Sequence, residues 1–235
     1  MPARLATFAA AVATAAAIVV IALITGHPEP DVPEAAKAGN AIVIPDEGSW
    51  AEAAAALPAT EDSAAPPAYE RESFGENWAD IDGNGCSQRD DVLARDLVDA
   101  VREKCTVLSG TLRDPYSGRK LGITTDRAAA GDDTGITRVR VDHVVSLRAA
   151  HEGGAWRWSP ERRQQFANSL ENLLAVDRDS AREKGSRGPA AWLPSDDGFV
   201  CEYAIRYTWI ATAWELAVPK ADRAALVSAL TDCRR

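Results

Sequence analysis

No C-x-x-C pair occurs in this 235-residue sequence, although it holds four cysteines. That removes the commonest zinc-ligand spacing, so the thiols do not read as a metal cage. No internal repeat is visible, and one good-sized domain with appendages accounts for the length. Basic charge is in deficit: 26 Lys and Arg face 35 Asp and Glu, for a net charge of -9. A protein that coats nucleic acid by bulk electrostatics carries the opposite balance. The deficit is uneven, however. Most of the acidic excess lies between residues 29 and 99, whereas residues 138–189 hold ten basic side chains against seven acidic ones. A local basic site stays open.

What is present begins with an uncharged run of 21 residues, 5–25, preceded by Arg4. About 20 apolar residues cross a bilayer as a helix, and a positive flank favours an N-in, C-out orientation. Residues 1–25 therefore read as a transmembrane anchor or as a signal peptide, with residues 20–22 offering a small-residue cleavage point. In either case the chain is expected outside the cytoplasm, as a single-pass membrane protein with an extracytoplasmic domain or as a secreted one. Residues 26–68 are rich in Ala, Pro, Glu and Asp and poor in large apolar side chains. They read as a mostly disordered tether, in which one patch, residues 50–57, is compatible with a helix packing on the domain. The folded domain is expected over residues 69–235. Cys86, Cys105, Cys201 and Cys233 form an even set in an oxidising compartment, for which three pairings exist. Sequential pairing, Cys86 with Cys105 and Cys201 with Cys233, closes the two shorter loops and is the expectation.

The domain's pattern is α+β. Residues 87–105 place Val92, Leu93, Leu97, Val98 and Val101 at a helical period, and residues 106–113 alternate like a strand before a D-P-Y-S-G turn. Residues 138–142 read as a second strand. Ser159-Pro160-Glu161 is a helix start, with a capping serine and proline at the first helical position. A short apolar run at 173–176 precedes a polar helix at 180–184, closed by Gly185. Two helices follow, at 199–216 and 220–231.

Asp142 and His143 interrupt the alternating strand side by side. A carboxylate next to an imidazole at a strand end suits a divalent metal on the oxygen and a proton acceptor on the ring. Alone, such a dipeptide is more often structural. Downstream, Asn172 precedes the apolar run, where its amide can bond backbone on both sides and pin a loop. Lys184 follows twelve residues later. The order Asp-His, Asn-Leu, then a short polar helix with lysine resembles the HNH nuclease ββα-metal motif.

More of the chain is similar to exported proteins that carry the C-terminal HNH domain of GmrSD-type restriction endonucleases. The matching stretches are YERESFG from Tyr69, DIDGNGC from Asp80, DPYSG from Asp114 and DHVV from Asp142. GAW from Gly154, FAN from Phe166, Asn172-Leu173, Lys184-Gly185, PAAWLP from Pro189 and CEY from Cys201 complete the series. The resemblance implies an HNH (ββα-metal) core embedded in a mostly helical, disulfide-stabilised domain. It implies metal-dependent hydrolysis of phosphodiester bonds in DNA, with RNA as the alternative substrate, and no sequence selectivity, since no reading domain accompanies the motif. His143 is then the general base, Asp142 a metal ligand, Asn172 the middle asparagine, and Lys184 a lysine that touches phosphate. The implied ion is Mg²⁺, with Mn²⁺ or Ca²⁺ as alternatives; no organic cofactor is implied, and a monomer is expected.

One position departs from the motif. Its last ligand should lie nine residues after Asn172, and that residue is Ala181. A methyl group coordinates nothing, so Asp177 or Asp179 becomes the substitute ligand to look for. Ser146 and His151 also differ from the proline and aromatic residue usual near those places. The alternative expectation is a catalytically impaired HNH-fold envelope protein that binds nucleic acid or a protein partner.

Residues 80–91, DIDGNGCSQRDD, place Asp80, Asp82, Asn84 and Asp91 at the positions of a second, calcium-binding loop. Ser87, a short Asp91 in place of glutamate and a bridged Cys86 count against it. The competing reading is a tight turn whose carboxylates cap the next helix. Trp156, Trp158, Trp192, Trp209 and Trp214 read as core, and Arg162, Arg163, Arg178, Arg182 and Arg187 as candidates for phosphate contact.

Overall fold

Five consecutive residues, Leu173–Asp177, are buried without a break. A strand of that kind needs cover on both faces. A computed structural model, which describes residues 49–62, 64–126 and 135–233, shows how the chain provides it. The N-terminal apolar run, His27 and the tether as far as residue 48 lie outside the described residues. Among the described residues, no helix is long and apolar enough to cross a membrane.

In chain order the elements are α1 (Trp50–Ala56), α2 (Gln88–Asp96), β1 (Leu97–Glu103), β2 (Thr106–Arg113), β3 (Lys120–Thr124), β4 (Val139–His143) and α3 (Leu147–Glu152). Then come α4 (Pro160–Asn168), β5 (Leu173–Asp177), α5 (Arg178–Lys184), α6 (Asp197–Ala213) and α7 (Lys220–Asp232). The fold is α+β with small antiparallel sheets: β1-β2-β3 form one, β4 and β5 a two-stranded ribbon. The ribbon runs from the pair His143↔Leu173 to Val139↔Asp177, and α5 packs on both its strands.

Alternation along the ribbon sorts its side chains between two cores. Val139, Val141, Leu173 and Ala175 join Val92, Leu93, Leu112 and Ile123 in the core under the three-stranded sheet. Leu174 and Val176 join the larger core with Tyr116, Phe166, Tyr203, Ile210 and Trp214. The outer edge of β5 is sealed by side chains rather than by a strand. Arg95 donates to the Leu173 carbonyl at 2.6 Å, and Asp96 accepts from the Ala175 amide at 2.8 Å. Trp192, Trp209 and Trp214 are core, whereas Trp156 and Trp158 are only partly buried.

Two boundaries differ from the sequence expectation. The helix expected over 87–105 stops at Asp96, and Leu97–Glu103 is a strand paired with β2 through the two-residue turn Lys104-Cys105. Leu97, Val98 and Val101 satisfy a helical period by chance. Val98 and Val101 are exposed, and β-branched residues beside an available partner strand favour pairing. The packed region also extends upstream of Tyr69. Ser49 and Glu52 form a capping box on α1, which lies on α7, and Ala54, Leu57 and Ala59 are buried. A capped alanine helix with one apolar side needs little bulk to dock.

Both disulfides have the sequential pairing, Cys86–Cys105 and Cys201–Cys233. The first ties the loop before α2 to the β1–β2 turn, the second the start of α6 to the end of α7. Replacing Cys201 and Cys233 together by alanine is expected to lower the free energy of unfolding by about 3 kcal/mol in urea denaturation. A change below about 0.5 kcal/mol would show that helix packing alone fixes the C-terminus.

Candidate active site

The site is built around the end of β4, and Asp114 sets the frame. This buried aspartate opens the D-P-Y-S-G turn. Its Oδ2 accepts from the Ser117 and Ser180 hydroxyls at 2.5 and 2.6 Å, and its Oδ1 from the Asp177 amide at 3.2 Å. One carboxylate thus fixes the start of α5 and places Tyr116. The Tyr116 hydroxyl donates to Asp142 Oδ2 at 2.9 Å. Burial, then the Asp142 charge, push that phenol well above its ordinary pKa, so it stays protonated and remains a donor.

Lys184, at the other end of α5, also reaches Asp142. Its Nζ lies 2.8 Å from Asp142 Oδ2 and donates to the His143 carbonyl at 2.7 Å, with the lysine side chain fully buried. In this structure the ammonium is sealed from solvent and braces the strand end.

Asn172 does what its place in the sequence suggests. Its Oδ1 accepts from the Val145 amide at 2.8 Å, its Nδ2 donates to the Val145 carbonyl at 3.1 Å, and its own carbonyl takes the Val144 amide at 2.8 Å. The long connection from β4 to β5, which contains α3 and α4, is closed at its base by this one residue.

His143 is half-buried, and its Nε2 lies 2.8 Å from the Ala167 carbonyl. A carbonyl only accepts, so Nε2 carries the proton and Nδ1 is the basic nitrogen. Nδ1 has no hydrogen-bond partner among the described residues. Burial pushes the pKa down to about 4 from 6.5; the Ala167 bond and Asp142 oppose this, while Lys184 and Arg71 add to it. The ring is a neutral proton acceptor at neutral pH. Trp78 stacks on it, with centroids 6.1 Å apart and planes 17° from parallel.

Trp78 went unnoticed in the sequence, and Asp114 and Tyr116 read there only as parts of a turn and of the family resemblance, with no role in the site. Trp78 sits at φ +58°, a conformation a bulky residue rarely adopts, and its carbonyl takes the Gln88 amide at the start of α2. Only the backbone angle and the stack mark it out, and neither is written in the local sequence.

The structure does not bring Asp177 or Asp179 to Asp142. Asp177 opposes Val139, four residue pairs from His143 or about 13 Å along the ribbon. Arg138 bonds both its oxygens at 3.0 and 3.2 Å, and Arg119 adds a third bond at 3.2 Å. Asp179 is held by Arg138 at 3.2 Å. Ala181 packs half-buried against the larger core. Asp142 therefore offers a metal only Oδ1, beside an oxygen already bonded to an ammonium. No group of three or more His, Cys, Asp or Glu suited to a metal lies among the described residues. These side chains do not fit a metal ligated by two protein groups.

In the loop before α2, Asp80 accepts from the Gly83 and Gly85 amides at 2.8 and 2.9 Å, and Asp82 from the Asn84 amide at 3.1 Å. Asn84 Nδ2 donates to Asp82 and Asp91 at 3.2 and 3.1 Å, so the turn also draws these side chains together. Among the arginines singled out, Arg163 bonds the Ser73 and Trp158 carbonyls, Arg162 pairs with Glu215, and Arg178 and Arg182 lie near Asp179.

The pattern of the C-terminal domain of GmrSD restriction endonucleases matches residues 87–229, and the chain belongs to that family. A similar protein is an uncharacterised secreted protein of Arthroderma benhamiae (strain ATCC MYA-4681 / CBS 112371). It is 33% identical over 168 residues, which cover 70% of this chain and 76% of the relative. No solved structure matches the chain.

Two measurements probe this geometry. Asn172→Ala leaves the buried Val145 amide unpaired and is expected to destabilise the domain by about 1–3 kcal/mol in urea denaturation. His143 gives a pH signature. Its folded pKa lies below the unfolded value, so between about pH 6.5 and 4 the unfolded chain binds a proton that the folded chain refuses. This contribution is complete above that window and is lost as pH falls through it. His143→Phe is expected to lose less unfolding free energy than wild type between about pH 7 and about pH 4.5. Equal losses would place the acid sensitivity elsewhere.

Proposed function

We propose that this protein hydrolyses phosphodiester bonds of nucleic acid outside the cytoplasm, DNA in the first instance and RNA as the alternative, without sequence selectivity. Membership of a restriction-endonuclease domain family supports the substrate class, and the secreted relative supports the compartment. The observation that carries the reading is His143. Its imidazole is oriented by the Ala167 carbonyl, kept neutral by burial, and open at Nδ1. A water held at Nδ1 gives up its proton to the ring as its oxygen attacks phosphorus; the leaving 3′ or 5′ oxygen departs in line and takes a proton from solvent, to which His143 then returns its own. The β4–β5–α5 order, with Asn172 closing the ribbon, supports an HNH scaffold for this base. A Mg²⁺, Mn²⁺ or Ca²⁺ cofactor is what the family resemblance implies, and it would supply charge stabilisation at the phosphate.

A second reading is favoured by one specific arrangement. Ala181 offers no ligand, and Asp142 is already paired with Lys184. These features support a catalytically impaired scaffold that binds nucleic acid or a protein partner. Plasmid DNA incubated with the oxidised protein, separately in Mg²⁺, Mn²⁺, Ca²⁺ and chelator, separates the two. Nicking that His143→Ala lowers by about a hundredfold or more supports the hydrolase, since general-base catalysis contributes on that scale. Absence of nicking in every arm, with a retained gel shift, supports the scaffold.

A further inference from the structure

The charge balance at Asp142 has a consequence that does not depend on hydrolase activity. Asp142 Oδ2 faces the Lys184 ammonium at 2.8 Å and the Tyr116 hydroxyl at 2.9 Å. The ammonium is fixed by a second bond to the His143 carbonyl and is sealed from solvent, while the Asp142 side chain keeps 17% exposure. Lysine is a compact point charge, so its position resembles that of a small bound cation. A divalent ion approaching Asp142 Oδ1 meets a carboxylate whose charge is already neutralised, and a like charge behind it. Residue 181, where a second ligand belongs in the motif, contributes only a methyl group.

We propose that Lys184 is the resident cation of this site. In the free protein Asp142 takes no divalent metal ion, and the ammonium supplies the charge that holds the carboxylate and the strand end together. The ligand class excluded is the hard, oxygen-seeking divalent cation. Metal competence is gated by the lysine charge as well as by residue 181.

Mn²⁺ titration of the oxidised full chain, followed by loss of the free-ion electron paramagnetic resonance signal, tests this without any cleavage readout. Wild type and Asp142→Asn are expected to give the same isotherm. Lys184→Met, close in size and uncharged, is expected to bind Mn²⁺ at least about tenfold more tightly than wild type. Lys184→Met combined with Asp142→Asn should lose that gain. A wild-type site that Asp142→Asn removes overturns the proposal, and so does a folded Lys184→Met protein that gains nothing. Near-UV circular dichroism establishes folding. Should Lys184→Met fail it, Lys184→Gln, also uncharged and able to donate to the His143 carbonyl, takes its place with the same gain expected. Failure here leaves the plasmid result unchanged, and failure to nick plasmid leaves this titration unchanged.

Discussion

An ammonium without solvent contact costs several kcal/mol unless its partners replace the lost water, and Lys184 meets that condition with two neighbours at the end of β4. The consequences spread outward from this pair. α5 has seven residues, too few to hold a helix by propensity. It is fastened at its last residue to Asp142 and His143, and near its first turn to Asp114 through Ser180 and the Asp177 amide. Held at both ends, it becomes a brace across the ribbon. The direction of the His143 ring is a by-product of that brace, completed by the Ala167 carbonyl on one side and Trp78 on another.

The remaining architecture keeps the braced ribbon dry. One core covers each face, Arg95 and Asp96 seal the outer edge of β5, and Asn172 closes the gap at the base of the long connection. The strap upstream of α2 belongs to the same assembly. Its Ser73 and Glu76 carbonyls are bonded by Arg163 and Asn168, and it ends in Trp78 against His143. The family match starts at residue 87, yet the surroundings of His143 draw on residues before it. Cys86 and Cys105 reinforce that junction by tying the intervening loop to the sheet.

What was legible in the sequence divides along physical lines. Features set by local chemistry could be read directly. Ser159 and Pro160 start α4, Asn172 bonds backbone on both sides, and the cysteines pair with their nearest companions. Features set by partners far along the chain could not. β1 resembles a helix until β2 is beside it. Tyr116 resembles turn filler until Asp142 lies 2.9 Å away. Lys184 reads as a lysine that reaches for phosphate, and only the packing shows its side chain fully buried. Asp177 and Asp179 are chemically suitable as ligands, but Arg138 holds them at the wrong end of the ribbon. Residue type gives capability, whereas distance and competing partners decide use.

The two halves of the site differ in what they contribute to folding. Asp142, Lys184 and Asn172 each hold buried polar groups whose loss leaves a partner unsatisfied, so the structure itself retains them. Residue 181 is different. Its methyl group packs half-buried beside the core and makes no hydrogen bond from its side chain, so a change there alters the ligand set and leaves the brace intact. The side chain at residue 181 can therefore change at little cost in stability. His143 keeps its place through such a change because it is positioned by the same contacts that fold the ribbon. A scaffold this intact around an alanine is what that asymmetry produces.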